Sequence, residues 1–362
     1  MSTAAPLPRL ASLLAAACSV VPDGDALAAP WRPAGAGHHR ARWFSRSAFA
    51  LAGLVAQRRI AMGGADPVLW LPDYFCNQSS GPARLAGAQV VHYPISGKLE
   101  PEWAACRQLA ATRSPDLFVL VHYFGWPADG VAARVFCDAV GAALIEDAAH
   151  VLVPVGGIGA QGEAVFYSPH KLFALPDGAL LLSREALDLA VPSVSPSPWP
   201  WLIRRLLQTA MPRFLRAATT RRRLPEFDRD PPFVTLPETS APSRLALSSM
   251  ARVDPVAEAV MRRRNAGLWA AALAGRSDLR PFLDAGPGAP YRFVAEATAG
   301  SAAALYDGYR ARGCPVESWP DLAPEVLSDP AHHAVAIGLR RRLLFLPVHS
   351  GVTGDDIRRW TA

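Results

Sequence analysis

Between about residues 44 and 183 short apolar runs alternate with amphipathic stretches, and nothing else in the chain restricts the fold as strongly. A chain written this way buries its runs as strands of a mainly parallel sheet and lays helices over them. The runs are VLWL (68–71), QVVHY (89–93), LFVLVHY (117–123), ALIED (143–147), EAVFYS (163–168) and ALLLS (179–183). Apolar spacing predicts helices from Ser47 to Arg58, from Glu102 to Thr112, and from Asp129 to Val140, where Asp129 caps and Gly141 terminates. An α/β fold follows. At 362 residues the chain exceeds one core. The expected division is an N-terminal segment 1–43, a large domain 44–240, and a long arginine-rich helix (244–274) with a small C-terminal α/β domain over 241–362. The strand and helix signals of that last part are PYRFVAEA, AALYDGYRARG, LLFLPVH and GDDIRRW.

A hydrophobic content of 51% against 19% charged residues excludes a disordered chain. The net charge of +6 is not accompanied by a zinc-finger or RNA-binding signature, so no nucleic-acid partner is expected. Cys18, Cys76, Cys106, Cys137 and Cys314 are odd in number and widely spaced, as in reduced thiols of a cytoplasmic protein. No metal site is expected, because no His or Cys pair has ligand spacing supported by a second pair. The apolar run Leu10 to Val21 after Arg9 imitates a signal peptide, but Pro6, Pro8, Asp23 and Asp25 fit one poorly, and a mature N-terminal helix is the preferred reading.

Of 37 basic side chains only Lys98 and Lys171 are lysine; the other 35 are arginine. A lysine kept in such a background marks chemistry closed to a guanidinium, since only the amine can deprotonate and form a Schiff base. Lys171 follows the run EAVFYS, and 24 positions earlier Asp147 ends the run ALIED. Pyridoxal phosphate needs a lysine amine for its aldehyde, an acid facing its ring nitrogen, and donors for its phosphate. Asp147 stands at a strand end, where open α/β sheets place ligand-binding groups. Ser168 offers a hydroxyl to the phosphate. A lone Asp at a strand end would ordinarily be a helix cap, and it is the pairing with Lys171 that favours the catalytic reading.

Several stretches, in order, resemble the DegT/DnrJ/EryC1/StrS family of sugar aminotransferases, which are fold-type-I pyridoxal-phosphate enzymes. They are SRSAF (45–49), LPDYFCN (71–77), HYFGWPAD (122–129), IEDAAH (145–150), SPHKLFALPDGALLL (168–182) and LPVHSGVTGDDI (346–357). The resemblance runs through about 44–183 and again from about 244 to the end. It implies a central parallel sheet with helices on both faces, and Lys171 as the Schiff-base lysine with Asp147 at the ring nitrogen. His150 would bond the ring's phenolic oxygen and Ala149 would pack on one ring face. An aromatic of the 71–77 loop, Tyr74 in preference to Phe75, would cover the other. Arg46, Ser47 and Ser168 would bind the phosphate at a helix N-terminus. The implied reaction passes an amino group from an amino acid, glutamate foremost, to a keto sugar on a nucleotide, in a homodimer whose active sites both chains complete, with Arg244 as the partner's phosphate donor. The family's Gly-Thr-Ser turn is Ser45-Arg46-Ser47 here, its serine-to-lysine spacing is shortened, and its asparagine-arginine motif is absent from LPETSAPSRLA (236–246).

Related dehydratases replace the lysine with histidine, so Lys171 favours transamination over that alternative. A second alternative is a non-catalytic, membrane-associated family member. Segment 199–223, rich in Trp, Leu and Arg, has the composition of a surface-binding helix, although a helix packed on the domain with a solvated basic face is preferred. His122 reads as a satisfied buried imidazole and His332-His333 as the cap of a surface turn; for His349 a structural role is likewise preferred, with the border of the substrate site as the alternative for it and for Trp126.

Overall fold

Strands that are apolar on both faces have no side to turn to water, and helices must cover both faces of the sheet they form. A computed structural model describes residues 3, 5–8, 10–33, 40–185, 198–210, 240–284, 286–298 and 301–362 of this chain. Its main sheet contains β1 (Arg40–Phe44), β2 (Val68–Pro72), β3 (Gln89–Tyr93), β4 (Leu117–Val121), β5 (Ala143–Ala148), β6 (Ala164–Tyr167) and β7 (Ala179–Ser183), in the order β1-β7-β6-β5-β4-β2-β3. From β3 to β6 the strands are parallel, and β7 pairs antiparallel with both β6 and β1. Every residue of β4, β6 and β7 is buried. The six expected strands are all present.

β1 was not anticipated. Its sequence RARWF carries two arginines at the sheet edge and buries only Trp43 and Phe44, so it lacks the apolar run of the central strands. The expected helices run Ser47–Ala61, Trp103–Arg113 and Gly130–Val140. Asp129 caps the last, its Oδ1 accepting the Ala132 N–H at 2.9 Å, and Gly141 closes it at φ 73°.

The single helix expected over 244–274 is two helices, Arg244–Met250 and Pro255–Leu273. Pro255 has no N–H to continue the first, and Asp254 caps the second by accepting the Ala257 N–H at 2.9 Å. A helix Leu10–Ala17 packs against Arg244–Met250.

Near the C-terminus β8 (Leu279–Pro281), β9 (Phe293–Ala297) and β10 (Leu343–Leu346) form an antiparallel sheet in the order β10-β9-β8. Pro255–Leu273 and Gly354–Thr361 cover it, enclosing Trp269, Tyr306, Tyr309 and Trp360. Its core joins the main one at Phe345, which packs on Phe124 with ring centroids 4.9 Å apart. Of the segments singled out in the sequence, 211–223 and the loop up to residue 239 lie outside the described residues.

Candidate active site

The carboxyl ends of β2, β4, β5 and β6 converge on one edge of the sheet, where open α/β sheets bind ligands. Successive strand residues face opposite sides, so Glu146 and Asp147 at the end of β5 serve different purposes. Glu146 is fully buried and accepts N–H bonds from Gly159 (2.6 Å), Gln161 (2.8 Å) and Gly162 (2.7 Å). His122 Nε2 also donates to it at 2.8 Å, because His122 Nδ1 is occupied by the Ala128 N–H at 3.0 Å. Burial alone would raise the Glu146 pKa, but His122 and the backbone donors outweigh it and hold it below the ordinary value. Glu146 and His122 are thus structural, as read for His122.

On the other side Asp147, also buried, accepts the Ala149 N–H on Oδ1 at 2.9 Å and no hydrogen bond from the described residues on Oδ2. Burial raises its pKa, with Lys171 the largest opposing influence. Lys171 lies in a one-turn helix, Pro169–Leu172, directly after β6, and its own N–H bonds Ser168 O at 2.9 Å. Burial lowers the amine pKa and Arg46 and Arg292 add to that, while Asp147 and Cys76 pull it back up. The two residues paired in the sequence are therefore electrostatic partners.

Ser168 is fully buried and its Oγ has no hydrogen-bond partner among the described residues. Arg46, extended at φ −142°, precedes the Ser47–Ala61 helix and takes part in no ion pair among the described residues. Burial lowers its pKa and Asp177 opposes this. Gly178 joins the two turns: its N–H bonds Ser45 O at 3.0 Å, and its carbonyl accepts the His170 Nδ1–H at 2.9 Å. Gly178 sits at φ +117°, a conformation that favours glycine. Ser168 and Lys171 are thereby tied to Arg46 and Ser47.

His150 lies between aromatic rings, 4.3 Å from Tyr291 at 5° between planes and 5.7 Å from Phe124 at 20°. Its Nδ1 accepts the Phe124 N–H at 3.4 Å, which leaves Nε2 as a donor. Burial, then Lys171 and Arg292, hold its pKa well below the ordinary imidazole value. Phe124 adopts φ 56°, unusual for a bulky residue, and Gly125 follows at φ 93° with Ala289 O 2.9 Å from where a Cβ would stand. This strained turn sets the His150 ring.

Ala149 is buried in the main core. Tyr74 is fully buried and stacks on Trp319 at 4.3 Å, its hydroxyl unpartnered; two residues on, Cys76 is the loop residue electrostatically coupled to Lys171. Burial, then Asp321, pushes the Cys76 thiol up to about 12.

The sequence reading missed Tyr291, Arg292, Trp319 and Arg262. Arg262 is fully buried and binds Glu258 Oε1 (2.7 Å), Leu172 O (2.8 Å) and Tyr291 O (2.9 Å), clamping the lysine turn to the ring that covers His150. Its only sequence signal is Glu258 four residues earlier on the same helix.

Other residues singled out in the sequence meet partners within the chain. His349 uses Nε2 on Thr3 O at 2.7 Å and Nδ1 on the Gly351 N–H at 3.1 Å, and Trp126 donates to Asp284 O at 3.0 Å, so these groups are taken up within the fold. His332 pairs with Asp329 at the surface, but His333 turns inward to the buried Asp73 at 2.9 Å. Arg244 is exposed and reaches Ser19 O at 3.4 Å.

No family model and no curated protein matches this sequence. Solved structures do. Helicobacter pylori PseC, described as an aminotransferase involved in the biosynthesis of pseudoaminic acid, superposes with TM-score 0.70 at 12% identity, over 99% of this chain and 96% of its own. A DegT DnrJ EryC1 StrS aminotransferase from Brucella abortus gives TM-score 0.64 at 16% identity, over 97% and 92%. The E. coli GDP-4-keto-6-deoxy-D-mannose-3-dehydratase, solved with bound hydrated PLP, gives 0.65 at 12% identity, over 93% and 89%. The chain has the fold of these sugar-modifying, fold-type-I enzymes.

Proposed function

We propose that this chain is a pyridoxal-phosphate-dependent aminotransferase that passes an amino group from an amino acid, glutamate foremost, to a keto sugar carried on a nucleotide. The observation that carries the reading is the half-buried Lys171 amine coupled to the buried Asp147 carboxylate, beside a buried Ser168 hydroxyl that has no partner among the described residues. This donor set fits the cofactor. Pyridoxal phosphate, when bound, supplies an aldehyde and a protonated ring that draws electrons from the substrate's Cα.

Every other step belongs to the chain. Burial and the neighbouring arginines favour the neutral form of the Lys171 amine, the form that attacks a carbonyl and takes a proton from Cα. Asp147 Oδ2, free of other donors, holds the proton at the ring nitrogen. Ser168, Arg46 and Ser47, with the N–H groups opening the Ser47–Ala61 helix, bind the phosphate. His150 Nε2 donates to the phenolic oxygen. Ala149 packs on one ring face and the 74–76 loop, with Tyr74 as first choice, covers the other.

The proposal extends to a homodimer, in which the second copy shields the strand-end crevice and Arg244 is the residue offered to the partner's phosphate. All five cysteines are free thiols, which suits a cytoplasmic setting.

The test is spectroscopic. The purified, cofactor-loaded protein should show an absorbance band that borohydride abolishes, leaving phosphopyridoxyl on Lys171, and glutamate should convert the cofactor to its amine form. A borohydride adduct without glutamate conversion would favour the dehydratase alternative, and the absence of any adduct would overturn the assignment. Sedimentation at micromolar protein tests the dimer, which an active, loaded monomer would refute.

A further inference from the structure

The helix Trp199–Ala210 is arranged opposite to a helix packed on a soluble domain. Trp199, Ile203 and Leu207 are four residues apart and so lie along one line, and they are 64%, 53% and 39% exposed. Of the residues from Trp199 to Gln208 only Gln208, a polar one, is buried. At roughly 100° per residue the half-buried Leu202 and Leu206 widen that line into an arc, with Arg204 and Arg205 on its two borders. Arg205 stacks on Trp201 at 5.6 Å. An outward apolar arc bordered by arginines is the pattern of a helix lying in a membrane interface, with chains in the acyl boundary and guanidinium groups at the headgroups.

Charge points to the sign of that surface. From residue 189 to 225 the only charged side chains are seven arginines, and the whole chain carries a formal net charge of +6, so the remainder is net negative. Two of the seven, Arg204 and Arg205, lie on this helix, and the other five follow it in the sequence outside the described residues. A nucleic acid would also attract arginine, but it would meet Trp, Ile and Leu on the outward face, which have no partner on a phosphate backbone.

We infer that the Trp199–Ala210 helix docks the protein on an anionic lipid surface. The inference is independent of the proposed reaction, because it rests on none of the residues assigned to the Lys171 site.

The experiment is flotation of the full-length, cofactor-loaded protein with vesicles of phosphatidylcholine alone or phosphatidylcholine with phosphatidylglycerol. The protein should float with the anionic vesicles, stay behind with the neutral ones, and be released by high salt. Burying one isoleucine side chain contributes about 1.5–3 kcal/mol and tenfold in partition is about 1.4 kcal/mol, so Ile203→Asp with Leu207→Asp should lower partition by more than about tenfold. Both positions are exposed, so the absorbance of the bound cofactor and the far-ultraviolet dichroism should not change. The inference is overturned if the protein fails to float, if neutral vesicles bind it equally, or if the double variant floats like the wild type. It is also overturned if the variant instead dissociates a dimer, which would assign the face to a second copy, or if the protein prefers RNA over vesicles.

Discussion

Lys171 and Ser168 make separable demands on the site, and substitutions can tell them apart. In Lys171→Arg the guanidinium keeps the charge and approximate length but does not deprotonate at neutral pH. The expected variant folds, as read by dichroism, shows no borohydride-reducible band, and has no measurable transamination; retained turnover would remove Lys171 from the chemistry. Ser168 is different because its buried Oγ has no partner among the described residues. An unsatisfied buried hydroxyl costs about 1–3 kcal/mol, so Ser168→Ala should leave the cofactor-free protein as stable as the wild type or slightly more stable. A hydrogen bond to a charged phosphate contributes about 1.5–3 kcal/mol, so the same variant should bind pyridoxal phosphate roughly ten- to a hundredfold more weakly. Titration calorimetry and urea denaturation of the cofactor-free form measure the two effects. A variant that is destabilised without losing affinity would show that Ser168 serves packing alone.

Between elements, the decisive contact is the one Arg262 makes from the Pro255–Leu273 helix to the lysine turn and to Tyr291. Arg262→Lys keeps a charge but has no planar fork to reach Leu172 O, Tyr291 O and Glu258 together. A loss of about 1–3 kcal/mol is expected in urea denaturation, as for a buried acceptor left without its donor, with altered absorbance at Lys171. An unchanged urea midpoint would show that the clamp is not needed. This contact also marks where the sequence stops being legible. The six expected strands could be read because runs such as LFVLV and ALLLS have nowhere to go but a covered sheet. Asp147 and Lys171 could be paired because one lies at the end of such a strand and the other just after the next, 24 residues apart. Arg262, Tyr291 and Trp319 could not, because each meets the site from far along the chain, Arg262 at Leu172, Tyr291 at His150 and Trp319 at Tyr74, and no local pattern records such distances. The break before Pro255 was visible as a residue but was overruled by the helical composition around it.

For the molecule as a whole, both sheets bury imidazoles in neutral form, and this makes its stability depend on pH. His349 is held at about 3 and His92 at about 4, in both cases chiefly by burial, and His150 and His170 lie well below the ordinary 6.5 for the same first reason. Each folded-state pKa is below its unfolded value, so beneath pH 6.5 the unfolded chain binds more protons and the folded state loses stability as pH falls. Each imidazole then contributes a slope approaching about 1.4 kcal/mol per pH unit, or roughly 5 kcal/mol per unit for four. That is a large part of the roughly 5–15 kcal/mol available to a folded protein. Carboxyls act in both directions: burial raises Asp73, Asp147 and Asp177, which recover stability on acidification, whereas Glu146 is lowered and loses it. The fall that begins as pH drops through 6.5 belongs to the histidines. The urea midpoint of the cofactor-free protein should be level from pH 8 to 7 and then fall steeply below 6.5, with cooperative unfolding near pH 5 without urea. His349→Asn, which removes one of the four, should flatten the fall by about a quarter of the slope set by the same linkage. A midpoint that stayed level from pH 7 to 5 would mean that these imidazoles keep their ordinary pKa values and that the buried neutral histidines do not exist in solution.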